Sequence, residues 1–132
     1  MKIIVAGGRD FTNKEMMKDF LQCMYQNGNL DDSLELVCGM AKGADMTAYE
    51  LFEEEGLVVH ERPADWQDMS EPCVVGTNYF GKYNKLAGMK RNHAMGDEAD
   101  ILVAFWDGSS KGTKDMIEYM NKLGKPVHIV KY

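Results

Sequence analysis

Residues 101–113 read ILVAFWDGSSKGT, six apolar residues running without a polar break into a turn of glycine, hydroxyls and one base. Apolar side chains on both alternating sets describe a strand covered on both faces, the pattern of a parallel sheet. Beyond the turn the period changes. Met116, Ile117, Met120 and Leu123 share one helical face, and Gly124-Lys125-Pro126 stops it. Strand, glycine-rich turn and helix form one unit, and the rest of the chain repeats it.

Apolar runs recur at 3–6, 34–38, 57–60 and 127–130, the first and third continuous like 101–106. Thr12 with Glu15 three residues on predicts a capping box, followed by a helix whose apolar face is Met16, Met17, Phe20, Leu21 and Met24 and which Asn27-Gly28 ends. Further helices are expected at about 44–55, where Ala44, Ala48, Leu51 and Phe52 share a side, and at about 86–99. The alternation predicts an α/β fold, a three-layer sandwich about a central, mainly parallel five-stranded sheet, in one domain over residues 1–132.

One segment breaks the alternation. Residues 62–85 hold Pro63, Pro72, two glycines and the aromatics Trp66, Tyr79, Phe80 and Tyr83. Loops of this length in compact domains are functional or disordered, and the aromatic content favours function. Within it, Gly76 to Lys82 has the glycine and lysine spacing of a Walker loop, but Tyr83 replaces the small hydroxyl that must reach magnesium, so the match reads as chance.

The chain has 132 residues, with 21 acids against 15 bases and a formal net charge of −6. An acidic balance excludes a broad polyanion-binding surface, so nucleic acid and anionic lipid are not expected partners. Cys23, Cys38 and Cys73 have neither disulfide nor zinc spacing, and His60, His93 and His128 show no ligand pattern. No metal and no cofactor are expected, and a reducing cytoplasm is the expected compartment. The eleven methionines read as adaptable core filler.

In open parallel sheets ligands bind beyond the carboxyl ends of the strands. Three strand-to-helix turns there are glycine-rich and each holds a base: Gly7-Gly8-Arg9-Asp10, Gly39 to Asp45 with Ala41, Lys42 and Gly43, and Asp107 to Thr113 with Ser109, Ser110, Lys111 and Gly112. Glycine lets a ligand approach the backbone, and helix-start amides carry partial positive charge. Many α/β domains use one such glycine turn for helix–strand packing alone. Three together, with hydroxyls on Ser109, Ser110 and Thr113, favour a phosphate or carboxylate. Arg9 and Asp10 either pair with each other or meet the ligand, and Asp45 either caps its helix or bonds a ribose hydroxyl. Trp66 and Trp106 are candidates to stack on a base.

The strings IVAGGRDFTN, VCGMAKGAD, RPADW, AGMKRNHAM and VAFWDGSSKGTKDMI, in this order and spacing, resemble the SLOG superfamily, in particular its small single-domain bacterial and phage branch. The resemblance implies a Rossmann-like domain. Its relatives include lonely-guy phosphoribohydrolases, DNA-processing proteins and proposed sensors of nucleotide-derived signals. It implies binding of a nucleotide or nucleotide-derived phosphorylated ligand, as sensor or, in a viral setting within the host cytoplasm, as scavenger. Homo-oligomers are implied as well, since lonely-guy relatives dimerise. By the same resemblance Arg91 corresponds to the phosphoribohydrolase arginine, with Asn92 beside it, and Gly112-Thr113 to the GT pair of the PGGxGTxxE loop. The glutamate position of that loop is Met116 here. Without that carboxylate the oxocarbenium-like intermediate loses its stabiliser. An N-glycosidase would need Asp115, Asp45 or Arg91 as its catalytic group, and the catalytic set stays open. A single-stranded DNA module is a further alternative, opposed by the charge balance. Relative to the family pattern the chain carries extra residues at about 67–82, expected to act as a lid or an oligomer contact.

Overall fold

The structure, a computed structural model, describes residues 1–132. Strands β1 (Lys2–Gly7), β2 (Glu35–Cys38), β3 (Val59–Glu61), β6 (Ile101–Trp106) and β7 (Val127–Lys131) form one parallel sheet in the order β3-β2-β1-β6-β7. The pair β4 (Val75–Asn78) and β5 (Gly81–Asn84) is a separate antiparallel hairpin. Helices are α1 (Lys14–Gln26), α2 (Ala44–Glu54), α3 (Ala87–Glu98) and α4 (Lys111–Lys122).

Period-2 alternation along the strands feeds two cores. Ile3, Val5, Leu36, Val103 and Phe105 pack with Met17 and Leu21 of α1 and Ala48 and Phe52 of α2. Ile4, Val37, Leu102 and Ala104 pack on the other face with Met95 of α3 and Met116, Ile117 and Met120 of α4. The fold is therefore the expected Rossmann-like three-layer sandwich. The interior strand β6 is buried from Ile101 to Phe105, as its unbroken apolar run requires. The similar run at 57–60 is different. It supplies β3, three residues long at the sheet edge, with Val58 exposed, because an edge strand has a neighbour on one side only.

Two local expectations shift. The N-cap of α1 is Asn13, one residue after Thr12. Asn13 Oδ1 accepts from the Met16 amide at 3.0 Å, a bond that a short amide side chain makes as readily as a hydroxyl. The long aromatic segment is an ordered hairpin hung on one buried side chain. Asn84 is fully buried, its Oδ1 accepts from the amides of Val74 and Leu86, and its Nδ2 donates to the carbonyls of Asp68 and Pro72. Four bonds satisfy every polar atom of that amide, the condition for burying it without loss. The Walker-like spacing falls on this hairpin, away from any strand-to-helix turn.

The chain runs from β1 outward to β2 and β3, then returns to β6 on the other side of β1. The switch point, where a crevice opens in such sheets, therefore lies between β1 and β6. Their register pairs Ala6 with Ala104 and Gly7 with Phe105. The small side chain of Ala6 at the carboxyl end of β1 leaves room between the sheet and the helices α3 and α4.

Candidate functional site

That room is a cavity of about 160 Å³. Its floor is apolar: Ile4 and Ala6 of β1, Met95 of α3 and Met116 of α4. Its rim is polar and drawn from four turns or helices, carrying the cations Arg9, Lys42 and Arg91 and the hydroxyls of Ser110 and Thr113. None of the ion pairs in the structure involves these three cations. Asp45 is the single carboxyl among the lining residues.

Arg91 reaches across from α3 to the second turn. Its Nη1 donates to the Gly39 carbonyl at 2.5 Å and its Nε to Asn92 Oδ1 at 3.0 Å, while Asn92 Nδ2 leans on the Gly112 carbonyl at 3.5 Å. These bonds fix the guanidinium and leave Nη2 without a protein partner. This placement brings Arg91 and Asp45 against Gly39. A Cβ there would lie 2.8 Å from Asp45 Oδ2 and 2.9 Å from Arg91 Nη1, so only hydrogen fits beneath both groups.

Asp45 lies in the first turn of α2 but caps nothing; the N-cap position is Gly43. Its Oδ2 accepts from the Ala41 amide at 3.3 Å in the preceding turn, next to Met40, which holds a left-handed φ of 62°. A non-glycine residue in that region is strained, and such strain gathers at functional turns. Burial pushes the Asp45 carboxyl up to about 6, against the Ala41 amide and Arg91, both of which favour the ionised form.

The turn before α4 supplies amides. Asp107 Oδ1 accepts from the amides of Ser109 at 2.8 Å and Ser110 at 3.0 Å, an Asx arrangement that shapes the loop. Ser110 Oγ meets Thr113 Oγ1 at 3.1 Å, and no side chain caps the helix start. The first amides of α4, from Lys111 to Thr113, have no intrahelical partner by geometry and are free to meet an anion. Gly112 lines the cavity with open space where a Cβ would stand.

Other residues expected at the site lie outside the cavity. Gly43, at φ 84°, lets the second turn press on the first: a Cβ would stand 2.3 Å from the Gly8 carbonyl. The Gly8 amide is spent on the Phe105 carbonyl. Asp10 pairs neither with Arg9 nor with the cavity; its Oδ1 accepts from the Tyr132 hydroxyl at 2.7 Å. Asp115 does not line the cavity; it lies within 3.2 Å of His93 Nε2, because one helical position turns a side chain by about 100°. Trp106 donates from its indole nitrogen to the Ser110 carbonyl at 3.1 Å and so holds the turn. Trp66 packs edge-on to Tyr83, and like Ser109 and Lys111 does not line the cavity. No residue of 67–82 does either.

The floor was missed by sequence reasoning, although its signal is present. Met95 follows Arg91 by four residues and Met116 follows Thr113 by three, so each shares a helical face with a residue that the sequence marks.

A doubly wound α/β domain with a cation-rimmed cavity at its switch point is the class these features define. Within that class, residues 1–68 match the family model described as YAcAr: YspA, cpYpsA-related SLOG family, and with more than half of its residues matched the chain belongs to that family. Family membership points to nucleotide-related binding or processing at a general level. The matched part carries the first two turns, with Arg9, Lys42 and Asp45, and ends before α3 and α4. No curated protein matches the chain. No helix is long and apolar enough to cross a membrane.

Proposed function

We propose that the protein binds a compact phosphorylated ligand, a nucleotide or a molecule derived from one, with its phosphate in this cavity. The observation that carries the reading is the convergence of three cations without carboxylate partners on the open start of α4. An anion held by free amides and a guanidinium gains charge-assisted bonds, and the apolar floor keeps competing water out. The cavity is smaller than the roughly 300–1,000 Å³ that encloses a whole drug-sized ligand, so a phosphate and its neighbouring atoms sit inside and the remainder extends outward.

The test is calorimetric titration of the protein with a panel of nucleoside monophosphates, together with mass spectrometry of small molecules that co-purify, each repeated on Arg91→Ala. Binding that weakens tenfold or more in the variant supports the reading. A ligand bound equally well by Arg91→Ala removes Arg91 from the site and overturns it.

A hydrolytic reading has one observation in its favour, the Asp45 carboxyl in the cavity wall, pushed up to about 6, in the range where a group can pass a proton to a departing base. Release of free base from any member of the panel, abolished in Asp45→Asn, establishes it. Intact nucleotides after prolonged incubation leave the binder.

A further inference from the structure

Asp45 is out of place in a site for an anion. It is the one carboxyl in a cavity otherwise rimmed by cations and donors, and a carboxylate facing a phosphate oxygen repels it. The Arg91 guanidinium lies beside it but is committed to the Gly39 carbonyl and to Asn92, and no ion pair joins the two. The carboxyl is half used: Oδ2 takes the Ala41 amide, and Oδ1 takes no hydrogen bond from the protein. Nor is Oδ1 sealed in the interior, since Asp115 Oδ2 is the buried side-chain atom left without a partner. An acceptor held rigidly by one oxygen, with the other open to a cavity, is built to receive a donor from the ligand.

The two ends of the cavity therefore differ. Ser110, Gly112 and Thr113 belong to the start of α4, where a phosphate is favoured; Ala41, Lys42 and Asp45 belong to the turn and first residues of α2. We infer that Asp45 Oδ1 accepts a hydrogen bond from a hydroxyl that the ligand carries close to its phosphate, so that the site selects ribose phosphates over their deoxy counterparts and over phosphate alone. A sugar phosphate presents both groups within one small moiety, which suits a cavity of this volume. The inference rests on the phosphate reading above and adds to it the substrate class.

Inorganic phosphate, ribose 5-phosphate and its 2-deoxy and 3-deoxy counterparts are the probes, titrated calorimetrically into the wild type, Asp45→Asn and Asp45→Ala. A hydrogen bond to a charged group corresponds to roughly ten- to a hundredfold in affinity. In the wild type, ribose 5-phosphate should bind at least about tenfold more tightly than one of the deoxy sugars. In Asp45→Ala that preference should vanish. Asp45→Asn keeps an acceptor for the Ala41 amide and should melt as a folded protein with an intermediate preference, so loss of fold is separable from loss of contact. Equal binding of all three sugars by the wild type, or a preference that survives in Asp45→Ala, overturns the role of Asp45 and leaves the phosphate site standing. Absence of binding by every probe, phosphate included, overturns both.

Discussion

The turns after β1 and β2 and the turn after β6 are written in the same residue types, glycine, a base and small polar groups, yet they are closed in opposite ways. In the first two, Gly7, Gly8 and Gly43 press on other parts of the fold, although Gly7 also lines the cavity. A Cβ on Gly7 would stand 2.3 Å from the Phe105 carbonyl, one on Gly43 the same distance from the Gly8 carbonyl, and the Gly8 amide is already bonded. After β6, Gly112 faces open space and the helix start has no side-chain cap. Glycine in the one place removes a side chain so that two backbones can touch. In the other it leaves the backbone bare at the helix start.

The contrast breaks or sharpens under substitution. Gly43→Ala should have the largest effect, since it adds a methyl into backbone atoms at a φ of 84°; a loss above about 4 kcal/mol in urea unfolding, or failure to fold, is expected. A loss below about 1 kcal/mol would mean that the two turns do not depend on this contact.

Asp45 is next. Its folded value of about 6 exceeds the ordinary 3.8, so the stability contributed by the protonated form is fully present below about 3.8 and is lost as pH rises through about 6. At about 1.4 kcal/mol per pKa unit, the ionised form costs up to about 3 kcal/mol, less whatever solvent in the open cavity screens. Asp45→Asn should match the wild type near pH 3.5 and exceed it at pH 8, by urea midpoints at the two pH values. Equal stabilities throughout would show that the carboxyl is well solvated.

Arg91→Lys keeps the charge but cannot reach the Gly39 carbonyl and a ligand together, and should weaken phosphate binding about tenfold by calorimetry. Gly112→Ala should have the smallest effect on stability and the opposite sign to Gly43→Ala. Alanine's helix preference adds up to about 1 kcal/mol, while the new methyl lowers phosphate affinity severalfold. If Gly112→Ala destabilised like Gly43→Ala, the two kinds of turn would be one.

Much of the site was legible because its residues stand in turns that local pattern marks. Arg9, Ala41, Lys42, Asp45, Arg91, Asn92, Ser110 and Thr113 all line the cavity. Asp10, Asp115 and Trp106 stand beside site residues in sequence, and each is held by a partner 4 to 122 positions away that no local pattern announces: Tyr132 for Asp10, His93 for Asp115, Ser110 for Trp106. The hairpin at Val75–Asn78 and Gly81–Asn84 was unreadable for a related reason. Its order comes from the bonds of a single buried amide, Asn84, to groups between 2 and 16 residues distant.

By itself the sequence determined the layers, the strand-to-helix units and the residue types in the turns at their ends, because periodicity, turn residues and charge act over a few neighbouring positions. Tertiary structure alone decided which face of each turn is spent on packing and which is left open. That choice depends on the register of β1 against β6 and the approach of α2 to the first turn. The register sets Gly7 beside Phe105, the approach of α2 buries Gly43, and the amides at the start of α4 and Nη2 of Arg91 are what remain without a protein partner.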